Sequence, residues 1–239
     1  MATKKKKPRR QYLDSDGNKM PSVTTILGAA IAKPGLIRWA SKVAAEAAVD
    51  ALLDGFADRD VAVAEGTKAP ELYRDNAAGL GTKAHGLVEA HYAKEEVVKE
   101  DGEDGAAIYD CYLRAVRAID ERWDVEVSEW AGVSRLGYGG TLDLLVIDRE
   151  TGKRLLVDLK TGSYHPEAIA QLAAYKNLWE EHNPTKLVDG AAILHVPVKG
   201  DKYAIAGISA DALKSGWSLF EAAFVIHNTL PKLVFDEPR

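Results

Sequence analysis

Cysteine is nearly absent, since the 239 residues contain one, Cys111. A single thiol excludes an internal disulfide and cannot furnish a four-cysteine zinc or iron–sulfur site, so Cys111 is assigned to the core. Long apolar runs are missing too. No stretch of about 18 apolar residues is available to cross a bilayer, and the N-terminus lacks the apolar segment of a secretory signal, so a soluble cytoplasmic protein is expected. Positive charge is scarce in the body of the chain. Net charge is −5, but Lys4-Lys5-Lys6-Lys7-Pro8-Arg9-Arg10 holds six of the 31 basic residues, and the 25 left against 36 acidic residues give −11. An acidic body is a poor general binder of nucleic acid. Residues 1–10 read as a disordered basic tail with two roles open to it, an arm that touches phosphates or a solubilising end.

A hydrophobic content of 46% can build a proper core, and without an internal repeat or a linker, residues 11–239 read as one domain. Asp14-Ser15-Asp16-Gly17-Asn18 suggests a turn between two short strands. Ser22 is placed to cap a first helix, and Pro34 to open a second that runs to about Leu53. Asp54 to Asp60 read as a loop. A third helix is expected over roughly Ala69 to Lys94, and a fourth over Glu103 to Trp123 from the apolar spacing of Ile108, Cys111, Tyr112, Ala115 and Ile119. Residues 11–124 are therefore mainly helical. From Val125 the period becomes extended, with strands at Val125 to Val133, Gly139 to Asp148 and Arg154 to Lys160 forming an antiparallel meander. A helix from Pro166 to His182, strands at Gly190 to Val198 and Tyr203 to Ile208, and a helix from Ala210 to His227 complete residues 125–239. The fold class is α/β, a mixed sheet of about five strands flanked by helices.

Charged side chains inside apolar strands carry the chemistry. Asp158 and Lys160 are two apart in Leu155-Leu156-Val157-Asp158-Leu159-Lys160, so they share a strand face. Asp143 is embedded in Leu142-Asp143-Leu144-Leu145-Val146. If these strands pair, two carboxylates and an ammonium converge, and burying them needs compensation. Two readings are open. The acids sit at strand ends paired with Lys160 or Arg154, or they bind a hard cation such as Mg²⁺, which can hold a phosphoryl oxygen and activate water. Gln171 and Tyr175, at i and i+4 of the following helix, share a face directed at that strand. His85, one turn after Gly81, reads by itself as a structural or surface histidine, and a functional role for it needs support from elsewhere.

Gly81-x-x-x-His85, Gly140-Thr141-Leu142-Asp143, Val157-Asp158-Leu159-Lys160-Thr161 and Gln171-x-x-x-Tyr175 occur in that order over about 95 residues, on the expected helix, strand, strand and helix. Together they resemble the P-D-(D/E)-x-K nucleases, in particular the RecB-like exonuclease branch. Pro21-Ser22-Val23-Thr24-Thr25-Ile26-Leu27 resembles the N-terminal segment of phage-encoded and mitochondrial members. The resemblance implies a restriction-endonuclease-like core and a Mg²⁺-dependent DNA exonuclease, with Mn²⁺ as a substitute, acting in phage or cellular recombination, replication or DNA processing. It implies Asp143, Asp158, the Leu159 carbonyl and His85 as metal ligands and Lys160 as the catalytic lysine. Gln171 and Tyr175 would support the site, and Glu129 could match an upstream acid of some members. DNA is the implied partner, together with a recombination or single-strand-binding protein. The alternatives are an endonuclease on the same core, or a weakly catalytic protein that binds DNA ends.

Overall fold

The computed structural model describes residues 10–54 and 58–233, so residues 1–9 of the expected tail and 55–57 of the expected loop lie outside the described residues. The chain opens with β1 (Tyr12–Leu13) and β2 (Lys19–Met20), an antiparallel pair. The Asp14 carboxylate holds the turn between them by accepting from the Asp16 and Asn18 N–H groups at 2.9 and 2.8 Å. Helix α1 (Val23–Ala30) is capped by Ser22, whose Oγ accepts from the Thr25 N–H at 3.0 Å, and it buries Val23, Ile26 and Leu27. This satisfies one of the donors that every helix start leaves unpaired.

Helix α2 (Pro34–Leu53) begins on its proline and buries no residue. It packs along α3 (Arg59–Tyr92), where a Cβ on Gly66 would lie 2.5 Å from the Ala44 carbonyl oxygen. Helix α3 starts ten residues before the position expected from sequence. Pro70 suggests a helix start, because its missing N–H costs nothing there. The start is set instead by Asp58, whose carboxylate accepts from the N–H groups of Asp60 and Val61, and the helix continues through Pro70 with α2 alongside. Helix α4 (Gly102–Arg122) has the expected periodicity, with Ile108, Cys111, Tyr112, Ala115 and Ile119 all buried.

The sheet is five-stranded, in the order β3 (Trp123–Ser134), β4 (Tyr138–Asp148), β5 (Arg154–Lys160), β6 (Gly190–His195), β7 (Ala204–Ile208). The first three strands form the antiparallel meander, β5 and β6 are parallel, and β7 returns antiparallel. A parallel pair needs a crossover, and α5 (Glu167–His182) supplies it. Strand β6 stops at His195, short of the Val198 expected, and Pro197 beyond it has no N–H to pair. Helix α6 (Ala210–Thr229) follows β7, and a short 3-10 turn (Leu230–Lys232) closes the described chain.

Two cores sandwich the sheet. Helices α1, α5 and α6 cover one face with Leu145, Leu156, Leu172, Leu178 and Phe220, while α3 and α4 cover the other with Leu144, Val146, Val157, Ile119 and Leu194. Strands buried on both faces lose the polar–apolar alternation, which is why Leu155 to Val157 of β5 and most of β6 read as apolar runs. Among the described residues no helix is long and apolar enough to cross a membrane.

Candidate active site

Strands β4 and β5 part company at their working end. Their pairing stops at Leu144–Val157, whereas β5 continues alongside β6 as far as Lys160–His195. Asp143 and Asp158 are the next positions in register, on either side of the fork. The Leu159 N–H, having lost its strand partner, donates to Asp143 Oδ2 at 2.9 Å. A residue in a strand presents its N–H and C=O to the same neighbour, so the Leu159 carbonyl faces the same gap.

A break in strand alternation accompanies the fork. Leu142 and Leu145 both face the α5 side although they are an odd number of residues apart, and Leu144 faces the α4 side. On the opposing strand Val127 and Trp130 do the same, with Glu129 between them at φ 52°. A non-glycine residue in this left-handed region is strained, and such strain gathers at functional sites. Glu129, His85 and Asp143 line one small void of about 10 Å³, close to the smallest that holds a single water-sized sphere.

Lys160 and Asp158 approach from the α5 side. Lys160 Nζ lies 2.8 Å from Asp158 Oδ2 and donates to Gln171 Oε1 at 3.3 Å, and Gln171 Nε2 donates to the Tyr175 hydroxyl at 3.1 Å. Helix α5 can sit this close because a Cβ on Gly140 would meet Tyr175 Cε1 at 2.6 Å. His85 reaches the same fork from α3, its Nδ1 3.8 Å from Asp143 Oδ2. Gly81, one turn earlier, admits the helix, since a Cβ there would lie 2.6 Å from Thr161 Oγ1. Arg154 takes no part, because its guanidinium pairs with Glu126 at 2.6 Å. Pairing of the acids with Arg154 is thereby excluded, while pairing with Lys160 is present.

Burial acts on both carboxyls and on the imidazole. It raises the Asp158 carboxyl, with the Asp143 charge adding to the rise and Lys160 opposing it. It raises Asp143 as well, against Lys160 and the Leu159 N–H. The His85 imidazole is lowered by the same desolvation, offset in part by Asp158, so a neutral ring is favoured. Ser134, Asp148 and Asp158 are the buried polar side chains described. Ser134 donates to Glu181, and Asp148 accepts from Trp123 and Thr151. Asp158 Oδ2 is buried with the Lys160 ammonium 2.8 Å away and no further hydrogen-bond partner among the described residues.

That oxygen, with a single ammonium as its neighbour, tests the donor set against a cation. Two carboxylates and a strand carbonyl at the same gap are oxygen donors of the right kind for a hard divalent ion, while the His85 imidazole is a nitrogen donor better matched to a transition-metal ion. Among the described residues no three acidic, histidine or cysteine side chains gather into a ready-made cage. Such a set suits Mg²⁺, which takes one or two carboxylates and fills its shell with water and substrate oxygens.

No protein-family model matches the sequence, and no curated protein matches it either. Among solved structures the chain is similar to one described as "Putative exonuclease" from Eubacterium rectale, with a TM-score of 0.43 at 10% identity over 67% of this chain and 77% of that one. It is also similar to a repair endonuclease from Pyrococcus abyssi, with a TM-score of 0.27 at 15% identity over 53% and 46% of the two chains. A third is SSO0001, with a TM-score of 0.32 at 11% identity over 66% and 74%. These likenesses are too distant to carry a functional argument, which rests on the geometry of the fork.

Proposed function

We propose that the chain is a divalent-metal-dependent nuclease hydrolysing DNA phosphodiester bonds, a member of the P-D-(D/E)-x-K group acting as an exonuclease of the RecB-like branch. The observation that carries this reading is the convergence of Asp143, Asp158 and Lys160 at the β4–β5 fork, with a buried Asp158 oxygen that faces only the Lys160 ammonium. The exonuclease and phage-type assignments rest on the order of the sequence motifs.

Each residue has a task in this reading. Asp143, fixed by the Leu159 N–H, and Asp158 hold Mg²⁺ or Mn²⁺ with the Leu159 carbonyl, and neutral His85 completes the protein donors. The cation, when bound, supplies positive charge to the phosphoryl oxygens and makes water a better nucleophile. Lys160, steadied by Gln171 and through it by Tyr175, points its ammonium at the reacting phosphate, where it stabilises charge that grows in the transition state. The partner is DNA. The place of action is recombination, replication or DNA processing in the cytoplasm, alongside a recombination or single-strand-binding protein.

The test is digestion of end-labelled linear and circular DNA, single- and double-stranded, with Mg²⁺, with Mn²⁺ and with excess chelator. Metal-dependent release of short products from linear DNA alone is expected, with loss of at least about 100-fold in Asp143→Asn and Lys160→Ala. Cleavage of circles would convert the reading to an endonuclease. Undiminished cleavage in chelator or in both variants would refute the metal nuclease, and binding of ends without cleavage would favour the weakly catalytic partner.

A further inference from the structure

A groove of about 580 Å³ runs between the N-terminal segment and the start of α1, and its composition is unlike the rest of this acidic chain. Arg10, Lys19, Tyr12, Ser22, Thr24 and Thr25 line it, and its nine lining residues include two cations and three aliphatic hydroxyls but no carboxylate. Grooves of similar size elsewhere carry acids, Glu46 and Asp50 in one of about 460 Å³ and Glu180 and Asp189 in one of about 440 Å³. The nearest acid in the β1–β2 turn, Asp14, is turned onto the N–H groups of Asp16 and Asn18.

The groove is anchored to the strand that carries Asp143. The Gly139 N–H donates to the Pro21 carbonyl at 2.9 Å, and Ser22 bridges to Gly139. Further along β4, Arg10 donates to Thr141 Oγ1 at 3.0 Å, and the Tyr12 hydroxyl shares a 2.8 Å hydrogen bond with the same atom. Thr141 is two residues from Asp143, about 7 Å along a strand. Arg10 also lies 3.9 Å from Glu129 Oε2, so that carboxylate meets part of its charge, while Lys19 has no ion pair among those described.

From this placement we infer that the Arg10–Thr25 groove is the track for the phosphate backbone of the DNA strand as it leaves or enters the fork. Two cations and a row of hydroxyls without a carboxylate suit consecutive phosphodiesters, which accept hydrogen bonds and repel acids. This role rests on the nuclease reading for its purpose, but binding in the groove needs neither the metal nor the two aspartates.

Fluorescence anisotropy of a labelled DNA oligonucleotide, with the full chain in excess chelator and at several salt concentrations, separates the two. Lys19→Gln should weaken binding about 3- to 10-fold and reduce the magnitude of the salt slope by about 0.7 on single strands or 0.9 on duplex. Lys214→Gln, which removes an exposed cation on α6, should leave both unchanged. A Lys19→Gln slope equal to wild type, an equal loss in Lys214→Gln, or no binding by the wild type would overturn the track. Lys19-dependent binding without any metal-dependent cleavage would sink the nuclease reading and leave the groove standing. Normal cleavage with an unaltered Lys19→Gln slope would do the reverse.

Discussion

Replacing Asp158 by asparagine should abolish cleavage and at the same time leave the fold as stable or more stable. The Asp158 carboxyl is pushed up to about 6 from an ordinary 3.8, chiefly by burial and then by Asp143. A raised native value means that the folded state holds the proton more tightly, so stability falls as pH rises through this window. At about 1.4 kcal/mol per pH unit, the ionised carboxylate costs the native state about 3 kcal/mol above pH 6. Asparagine keeps the volume and removes the charge, and the attraction to Lys160 that it gives up is already contained in that net figure. A net gain of about 1–3 kcal/mol at pH 7.5 is expected, falling by roughly half at pH 5. Urea unfolding followed by circular dichroism in chelator measures it, with an unchanged m-value as the check that the same surface is exposed. If the Asp158–Lys160 contact were instead a structural ion pair, breaking it would cost about 3–5 kcal/mol. A loss of that size at pH 7.5, or a difference that does not vary between the two pH values, would refute the functional assignment.

Three further outcomes are expected. His85→Ala should reduce metal-dependent cleavage while shifting the melting temperature little, because a partly exposed ring 3.8 Å from Asp143 carries little packing; a large melting shift with cleavage intact would return His85 to a structural role. Gly140→Ala should lower stability by about 1–3 kcal/mol in thermal unfolding, since the new methyl meets the Tyr175 ring at 2.6 Å and Val23 Cγ2 at 3.4 Å inside the core. Asp148 is held below the ordinary carboxylate range, first by the Thr151 hydroxyl and also by Trp123 and Arg122. Its contribution is complete above about pH 4 and is lost as pH falls through the lowered native value. The deficit of Asp148→Asn in urea unfolding should therefore be largest near neutrality and shrink below pH 4.

Local rules carried most of the element map. Ser22 and Pro34 mark helix starts by capping chemistry and by ring geometry, and both operate within a few residues of chain. Periodicity located α4 and the five strands, because burial against a sheet leaves a repeat that survives in the sequence. The start of α3 was not legible. A proline near a plausible start and a proline inside a long helix look alike until the packing of α2 against that turn is known.

The candidate site divides the same way. Sequence alone placed Asp158 beside Lys160 on one strand and Gln171 beside Tyr175 on one helix turn, since both pairs follow from the periods of strand and helix. Glu129 had only loose spacing to recommend it, and its positive φ and its place in the void with His85 and Asp143 belong to the folded backbone. The acid-free groove is also invisible in the sequence, where Asp14 and Asp16 stand between Arg10 and Lys19 and no periodicity joins these cations to the hydroxyls of Ser22 to Thr25. Only tertiary structure decided that β4 and β5 part after Leu144–Val157. Strand registers depend on contacts among residues far apart in the chain, and it is that parting which turns Asp143, Asp158 and Lys160 into a site open to a ligand.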